Sequence, residues 1–389
     1  MSHSDYRTKK RKLGHNGAAD DVNTSKPSAR FNPSQGGRDW TISVAIPGSI
    51  VADHRTLDQR MTSPGRIARA LAVFSVDEVV VYNDMPSPSH SSDLQTSASS
   101  FYRTQRPSHQ GHQGHHPRQR PGQRHQNNND SDAGADSSFT ADVDPCHFLA
   151  HLLSYLEAPP FMRKTLFPIH PNLRLAGLLP SLDMPHHPNP IDTAIPYREG
   201  VTLDRPPPAT DSDAACLVDM GAKSPVSLPD AIPPNTRVTL RFPSGSFEHG
   251  PAEAVHPATP REEGGYYWGY AVRRASSLSA VFEESPFEGG YDVSIGTSER
   301  GDSVSRAFPR HDRALPFKHL LIVFGGPRGI EFAAANDPQL SELGVGGGAT
   351  RELFDHWIDV LPNQGSRTIR TDEAVFIALT ALRRLWDLS

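Results

Sequence analysis

Apolar residues first cluster in Trp40-Thr-Ile-Ser-Val-Ala-Ile46, a β-rich run that halts at Pro47-Gly48. It predicts a strand and a turn. Ser63-Pro64-Gly65 predicts a helix N-cap with proline in the first helical position. Behind it Ile67, Leu71 and Phe74 share one helical face. Val79-Val80-Val81-Tyr82 is a short continuous apolar run, the pattern of a strand covered on both faces in a parallel sheet. Trp40 to Tyr82 therefore reads as a βαβ unit. Further on, Phe148, Leu149, Leu152, Leu153 and Leu156 form a helical stripe that ends before Pro159-Pro160.

From Arg198 to Val272 the texture changes to short alternating pieces separated by turn residues. These are Gly200–Leu203, Ala215–Val218, Arg237–Phe242 and Tyr266–Tyr270. They predict a small all-β barrel of the OB type. Strand-like runs return at Tyr291–Ile295, His319–Phe324 and near Phe354–Val360. Thr371-Asp372-Glu373 is expected to cap a last helix, whose apolar face is Val375, Ala378, Leu379, Leu382 and Trp386. The fold class predicted is α/β with an inserted β-barrel. The organisation predicted is a tail over 1–38, a first α/β part over 39–197, a barrel over 198–272 and a C-terminal α/β part over 273–389.

Composition sharpens two of these boundaries. Gly and Pro make up 66 of 389 residues, well above the usual roughly 12%. Residues 84–143 hold only ten apolar residues in sixty, too few to offset the entropy of ordering, and read as a disordered insertion. The histidines of this tract are irregularly spaced, so low complexity is preferred to a metal site. Residues 1–38 are polar, with Lys9-Lys10-Arg11-Lys12 as a candidate nuclear-import address or loose RNA contact. Net charge is −5, which argues against a globally basic coat protein. Two cysteines, Cys146 and Cys216, exclude a disulfide framework and a Cys-based zinc site. No apolar run approaches the about 18 residues of a membrane span.

Three of the predicted strands run into Gly-containing loops, at Gly296–Gly301, Gly325–Gly329 and Leu361–Arg370. Ligands of parallel α/β sheets bind at the carboxyl ends of strands, and glycine permits close backbone approach. No loop matches GxxxxGK[ST] or GxGxxG. Arg300, Arg328, Arg367 and Arg370 accompany the loops and suit a phosphate-bearing substrate.

Gly325-Gly326-Pro-Arg-Gly329, together with Gln364-Gly-Ser-Arg-Thr-Ile-Arg-Thr-Asp-Glu-Ala374, resembles the S-adenosyl-L-methionine end of the SPOUT trefoil-knot RNA methyltransferases. The second motif looks like that of the uridine-N3 rRNA enzymes. The likeness extends over nearly all of 40–386 except the insertion and points to the eukaryotic and archaeal SPOUT-domain subfamily. It implies a SPOUT fold with a deep C-terminal knot, an exception to the rule that chains do not thread loops. It also implies an OB-like insert and a homodimer. The cofactor would be held by Thr297, Ser298, Arg300, Gly325, Gly326, Asp359, Val360, Leu361, Gln364, Gly365, Thr368 and Ile369. The two glycines would let adenosine lie against bare backbone.

Arg367, Arg370 and Arg300 are the candidate catalytic residues: a guanidinium favours the anion left when uridine N3 loses its proton. Arg300 or Arg60 would orient phosphate, and Glu299 and Glu373 are candidate bases. Uridine N3 lies on the pairing edge, so the base must be unpaired or flipped. Tyr267 and Trp268 could stack bases, and Arg273 and Arg274 could attract phosphates. The expectation is an S-adenosyl-L-methionine-dependent methyltransferase of large ribosomal RNA, in the nucleus or nucleolus with a cytoplasmic pool left open, with no metal and no membrane. An idle knot protein acting as an RNA, ribosomal or mitotic scaffold is the alternative.

Overall fold

The computed structural model describes residues 36–52, 54, 56–86, 138–188, 195–207, 214–243, 251–309 and 315–386. The basic cluster and most of the insertion lie outside them. The insertion is narrower than its composition suggests. Asp84, Thr140 and Ala141 are buried, and Phe139 packs edge-on against Phe148.

Strand β1 (Thr41–Pro47) leads to helix α1 (Leu57–Val73) and β2 (Glu78–Tyr82), which pairs parallel to β1. The βαβ unit is as expected, but α1 begins six residues before Ser63. Its cap is Thr56, whose Oγ1 accepts the Gln59 N–H. Pro64 lies inside the helix and has no N–H to give the carbonyl four residues back. Burial of Met61, Ile67 and Leu71 outweighs that missing bond. Helix α2 (Pro145–Glu157) carries the expected stripe and is capped by Asp144, which accepts the His147 N–H at 2.8 Å.

A second sheet follows: β3 (Tyr197–Thr202), β4 (Cys216–Asp219), β5 (Val226–Leu228), β6 (Arg237–Arg241) and β7 (Glu253–Val255). It is antiparallel, in the order β5-β4-β3-β6-β7, and curls over its own core of Val218, Leu228, Leu240 and Phe242. It forms half a barrel with two open edges. Tyr266–Tyr270, expected as a strand of this unit, is extended chain outside both sheets. Next comes β8 (Ala271–Ala275), which pairs parallel with β2. The span 198–272 therefore ends inside a strand of the large sheet.

Helix α3 (Leu278–Glu283) precedes β9 (Val293–Ser303) and β10 (His319–Val323). After these come α4 (Ile330–Asn336), α5 (Pro338–Glu342), β11 (His356–Asp359) and α6 (Thr371–Leu382). The large sheet has the order β11-β9-β10-β1-β2-β8, every pair parallel. Strands β1, β2 and β10 are buried along their whole length on both faces, which explains their unbroken apolar runs.

Two polar clusters fix the half-barrel to the large sheet. Arg38 pairs with Asp77 (2.6 Å), and its backbone N–H reaches the Arg261 carbonyl. Arg237 of β6 bridges Glu157 of α2 (2.6 Å) and Glu199 of β3 (2.5 Å).

Candidate active site

The strands turn away from each other on the two sides of the β1–β10 boundary. β1 feeds β2 on one side, and β10 feeds β11 beyond β9 on the other. A crevice at the carboxyl ends is the geometric consequence. A cavity of about 570 Å³ lies there, walled by the segments after β1, β9, β10 and β11.

The β9 wall is unlike the simple loop read from sequence. Ile295 and Gly296 pair with His356 and Trp357, then pairing jumps to Asp302 and Ser303 with Ile358 and Asp359. Residues 297–301 are thereby looped out of the ladder, and Thr297, Ser298, Glu299 and Arg300 line the cavity. Thr297 Oγ1 donates to the Val323 carbonyl (2.9 Å), tying this loop to β10. A Cβ on Gly296 would lie 2.5 Å from the Trp357 ring, and one on Gly301 2.5 Å from the Ile358 backbone. These glycines let the bulged strand close onto β11.

Gly325 and Gly326 line the cavity as expected, but for a different reason. A Cβ on Gly325 would lie 2.6 Å from Ile330 N, and one on Gly326 2.6 Å from Ser49 Oγ and 3.2 Å from Asp84 Oδ2. The bare Cα faces protein, so these glycines serve packing of the loop. Beneath Gly326, Ser49 donates its hydroxyl (2.5 Å) and N–H (3.2 Å) to buried Asp84. Burial pushes the Asp84 carboxyl up from its usual range, against the lowering effect of the Ser49 bonds.

The third wall contributes Asp359, Val360, Gln364, Arg367, Thr368, Ile369 and Arg370. Leu361 and Gly365, expected with them, do not line the cavity. Leu361 is exposed and donates its N–H to Asp359 Oδ1 (3.0 Å), which turns the chain at the end of β11. Arg370, rather than Thr371, occupies the N-cap of α6. The Thr371 hydroxyl donates to the Gly325 carbonyl (3.1 Å), so the last helix is bonded to the β10 loop. Glu373 accepts the Arg370 N–H (3.0 Å) and does not line the cavity. Its place is structural, not that of a base.

Of the arginines, Arg300 is exposed and sits 3.4 Å from Glu331. Arg367 and Arg370 are exposed at the rim. Ile50, His54, Ser63, Glu331 and buried Asp372 also line the cavity. Sequence reading missed these because they come from the turn after β1, the middle of α1 and helix starts. Only the register of the folded sheet aligns them.

The residues expected to meet RNA are placed elsewhere. Tyr267 is 2% and Trp268 9% exposed. Tyr267 OH donates to the Leu71 carbonyl, and Trp268 Nε1 to Glu199 (2.6 Å). Neither offers a face for stacking, because both fill the junction between the two sheets. Arg273 is held by Glu78 (3.0 Å), Tyr291 OH and the Val281 carbonyl, and is a structural cation. Arg60 donates to the His54 carbonyl and pairs with Asp142 (2.7 Å), which holds the loop before α1. Arg274 remains half-exposed, paired with Asp144 at 2.7 Å. Among the described residues, no cluster of His, Cys, Asp and Glu is arranged to hold a metal, and no helix is long and apolar enough to cross a membrane.

A loop-walled, arginine-rimmed cavity at the switch point of a parallel α/β sheet is the position at which proteins of this architecture bind their ligands. Comparison with known families narrows the class. Residues 41–382 match the family described as "Putative RNA methyltransferase", and the chain belongs to it; it is an RNA methyltransferase. The human protein named 28S rRNA (uridine-N(3))-methyltransferase is 39% identical over 355 residues, 89% of this chain and 79% of its own length. Proteins of the same name from Mus musculus and Drosophila melanogaster are 38% and 37% identical. They span 90% and 88% of this chain, and 78% and 62% of their own lengths.

Proposed function

We propose that the protein methylates N3 of a uridine in large-subunit ribosomal RNA, with S-adenosyl-L-methionine as methyl donor. The observation that carries the reading is the match, along most of the chain, to relatives named for that reaction. The cavity supports it. About 570 Å³ is within the roughly 300–1,000 Å³ of small-molecule sites. Val360 and Ile369, both partly exposed, offer apolar surface for a nucleobase. Glu299, Glu331 and Asp359 bring negative charge to the wall, and Arg300, Arg367 and Arg370 bring positive charge. This suits a ligand carrying a carboxylate, an ammonium and a sulfonium.

When bound, the cofactor supplies an electrophilic methyl group. The protein supplies position and exclusion of water. Arg367 and Arg370 bring positive charge to the rim, where it favours a uracil that has lost its N3 proton. Arg300, exposed beside Glu331, would meet the RNA backbone. The same reading includes a trefoil knot closed by the return of α6 to the β10 loop, an OB-type relationship for the half-barrel, a homodimer and residence in the nucleolus.

The test is to incubate the full chain with methyl-labelled S-adenosyl-L-methionine and unmodified large-subunit rRNA, then digest to nucleosides for mass spectrometry. The expected product is 3-methyluridine. Label on another base or on protein, or no transfer, overturns the reading. Arg367→Ala and Arg370→Ala are each expected to lower turnover by about 10²-fold or more with S-adenosylhomocysteine affinity retained.

A further inference from the structure

Arg328 stands at the tip of a tight turn. The Gly329 N–H returns to the Gly326 carbonyl (2.9 Å), and Gly329 takes a φ of +81° that an L side chain rarely adopts. The turn delivers Arg328 to the cavity wall. There its guanidinium carbon lies 3.9 Å from the centroid of the Phe332 ring. Phe332 is half-buried in the first turn of α4. Of the cavity's other arginines, Arg300 is paired with Glu331, whereas Arg367 and Arg370 stand exposed at the rim. Among the described residues, no carboxylate forms an ion pair with Arg328. Its plane is set by an aromatic ring instead.

A guanidinium resting on a ring is a pre-oriented flat surface. It is charged and weakly hydrated, and its second face suits another π system. Unstacked bases are characteristically received on arginine planes and aromatic rings. A uridine modified at N3 has left its stack and needs a new one. The aromatic residues that sequence suggested for this task, Tyr267 and Trp268, are enclosed between the sheets. Of the rings that line the cavity, Phe324 is 1% exposed, and His54 lies on a different wall, in the segment before α1.

We propose that the Arg328–Phe332 pair is the shelf on which the flipped-out acceptor base stacks, so that Arg328 sets recognition of RNA and not of the cofactor. The inference rests on the methyl-transfer reading above.

The test uses the full chain and the rRNA assay already described, with S-adenosylhomocysteine affinity measured separately by calorimetry. Arg328→Ala is expected to raise KM for RNA about tenfold or more, in line with the loss of one base-stacking contact, and to leave S-adenosylhomocysteine affinity within twofold. Arg328→Lys keeps the charge and loses the plane, so it should not restore KM. Phe332→Leu removes the support and should raise KM in the same direction. Unchanged KM in Arg328→Ala overturns the shelf. So does weakened S-adenosylhomocysteine binding with unaltered KM for RNA, which would place Arg328 on the cofactor's carboxylate. Full recovery by Arg328→Lys also overturns it, since charge alone would then suffice. If the wild-type chain methylates no RNA, the methyl-transfer reading fails and this inference with it.

Discussion

At the scale of single residues, the glycines of the cavity differ by what their missing side chains would strike. Gly325→Ala places a methyl 2.6 Å from the Ile330 nitrogen and 2.7 Å from the Gly329 carbonyl carbon. Both are backbone and cannot swing aside, so the β10 loop must open. Overpacking of this kind costs roughly 1–3 kcal/mol. Gly325→Ala should lower the unfolding midpoint in urea and weaken S-adenosylhomocysteine binding. Gly365→Ala, with no atom within 4 Å of the new methyl, should do neither. Trp268 gives a second contrast. Trp268→Phe removes the N–H that Glu199 accepts at 2.6 Å. Glu199 Oε1 keeps the Thr239 hydroxyl at 2.7 Å, so the cost is that of one hydrogen bond to a charged group, roughly 1.5–3 kcal/mol, while RNA affinity should stay unchanged because the ring is buried. Equal denaturation midpoints, or weaker RNA binding at equal stability, would contradict the burial argument. Sequence alone showed Trp268 as an aromatic beside two tyrosines. A stacking strand and a buried strand have the same composition, and only the fold chose between them.

At the scale of elements, the half-barrel and the large sheet are joined through Arg237. Its guanidinium lies between two carboxylates that are 5% and 2% exposed, Glu157 and Glu199. These partners hold the Arg237 charge even more firmly than usual, despite the burial that opposes it. Removing one member of such a cluster leaves buried charge uncompensated, at roughly 3–5 kcal/mol for a fully buried pair. Arg237 is a third exposed, so the lower end applies. Arg237→Met should lower the thermal midpoint by several degrees, with the half-barrel becoming more protease-sensitive than the large sheet. Arg241→Met, four residues further on, exposed and matched with Glu253 and Glu263, should change neither. None of these pairings was visible in the sequence, because Glu157 and Arg237 are eighty residues apart. The βαβ unit and helix α2 were visible, since their periodicity is local. The start of α1 was misjudged because Ser-Pro is a good cap signal that Thr56 and the burial of Met61 override.

For the whole molecule, the junction predicts a pH dependence. His187 donates Nε2–H to the Glu157 carbonyl (2.7 Å), which leaves Nδ1 buried without a partner. Burial and the neighbouring His186 push its pKa down to about 3, against the raising pull of Glu157. Unfolded histidine titrates near 6.5. Between those values the unfolded chain binds a proton that the folded one refuses, so stability rises with pH across the window and is lost as pH falls. The Glu157 carboxyl is held below its usual range by Arg237 and His186, against the raising effect of burial, and its contribution is lost in the same direction at lower pH. The thermal midpoint should fall from pH 7 to pH 4.5, and His187→Gln should flatten the upper part of that fall. A midpoint independent of pH, or one that rises on acidification, would refute the assignment.

The sequence by itself determined the large elements and the chemistry of the loops. Alternation, apolar runs and glycine act over a few residues, and each carries its consequence wherever it lies. Thus five of the six parallel strands, α2, the switch to short antiparallel strands and the arginine-bearing loops were readable in advance, whereas β8 was hidden at the end of the barrel span. The tertiary structure alone decided which of those loops share a cavity, and that the looped-out 297–301 segment walls it. It decided that Gly325 and Gly326 answer to Ile330 and Ser49, and that Arg273, Tyr267 and Trp268 belong to the frame. These outcomes depend on sheet order and register, which place β10 between β1 and β9 and return α6 to the Gly325 carbonyl. Long-range order of that kind is set by the total burial of the assembled sheets, a quantity no local stretch of the chain contains.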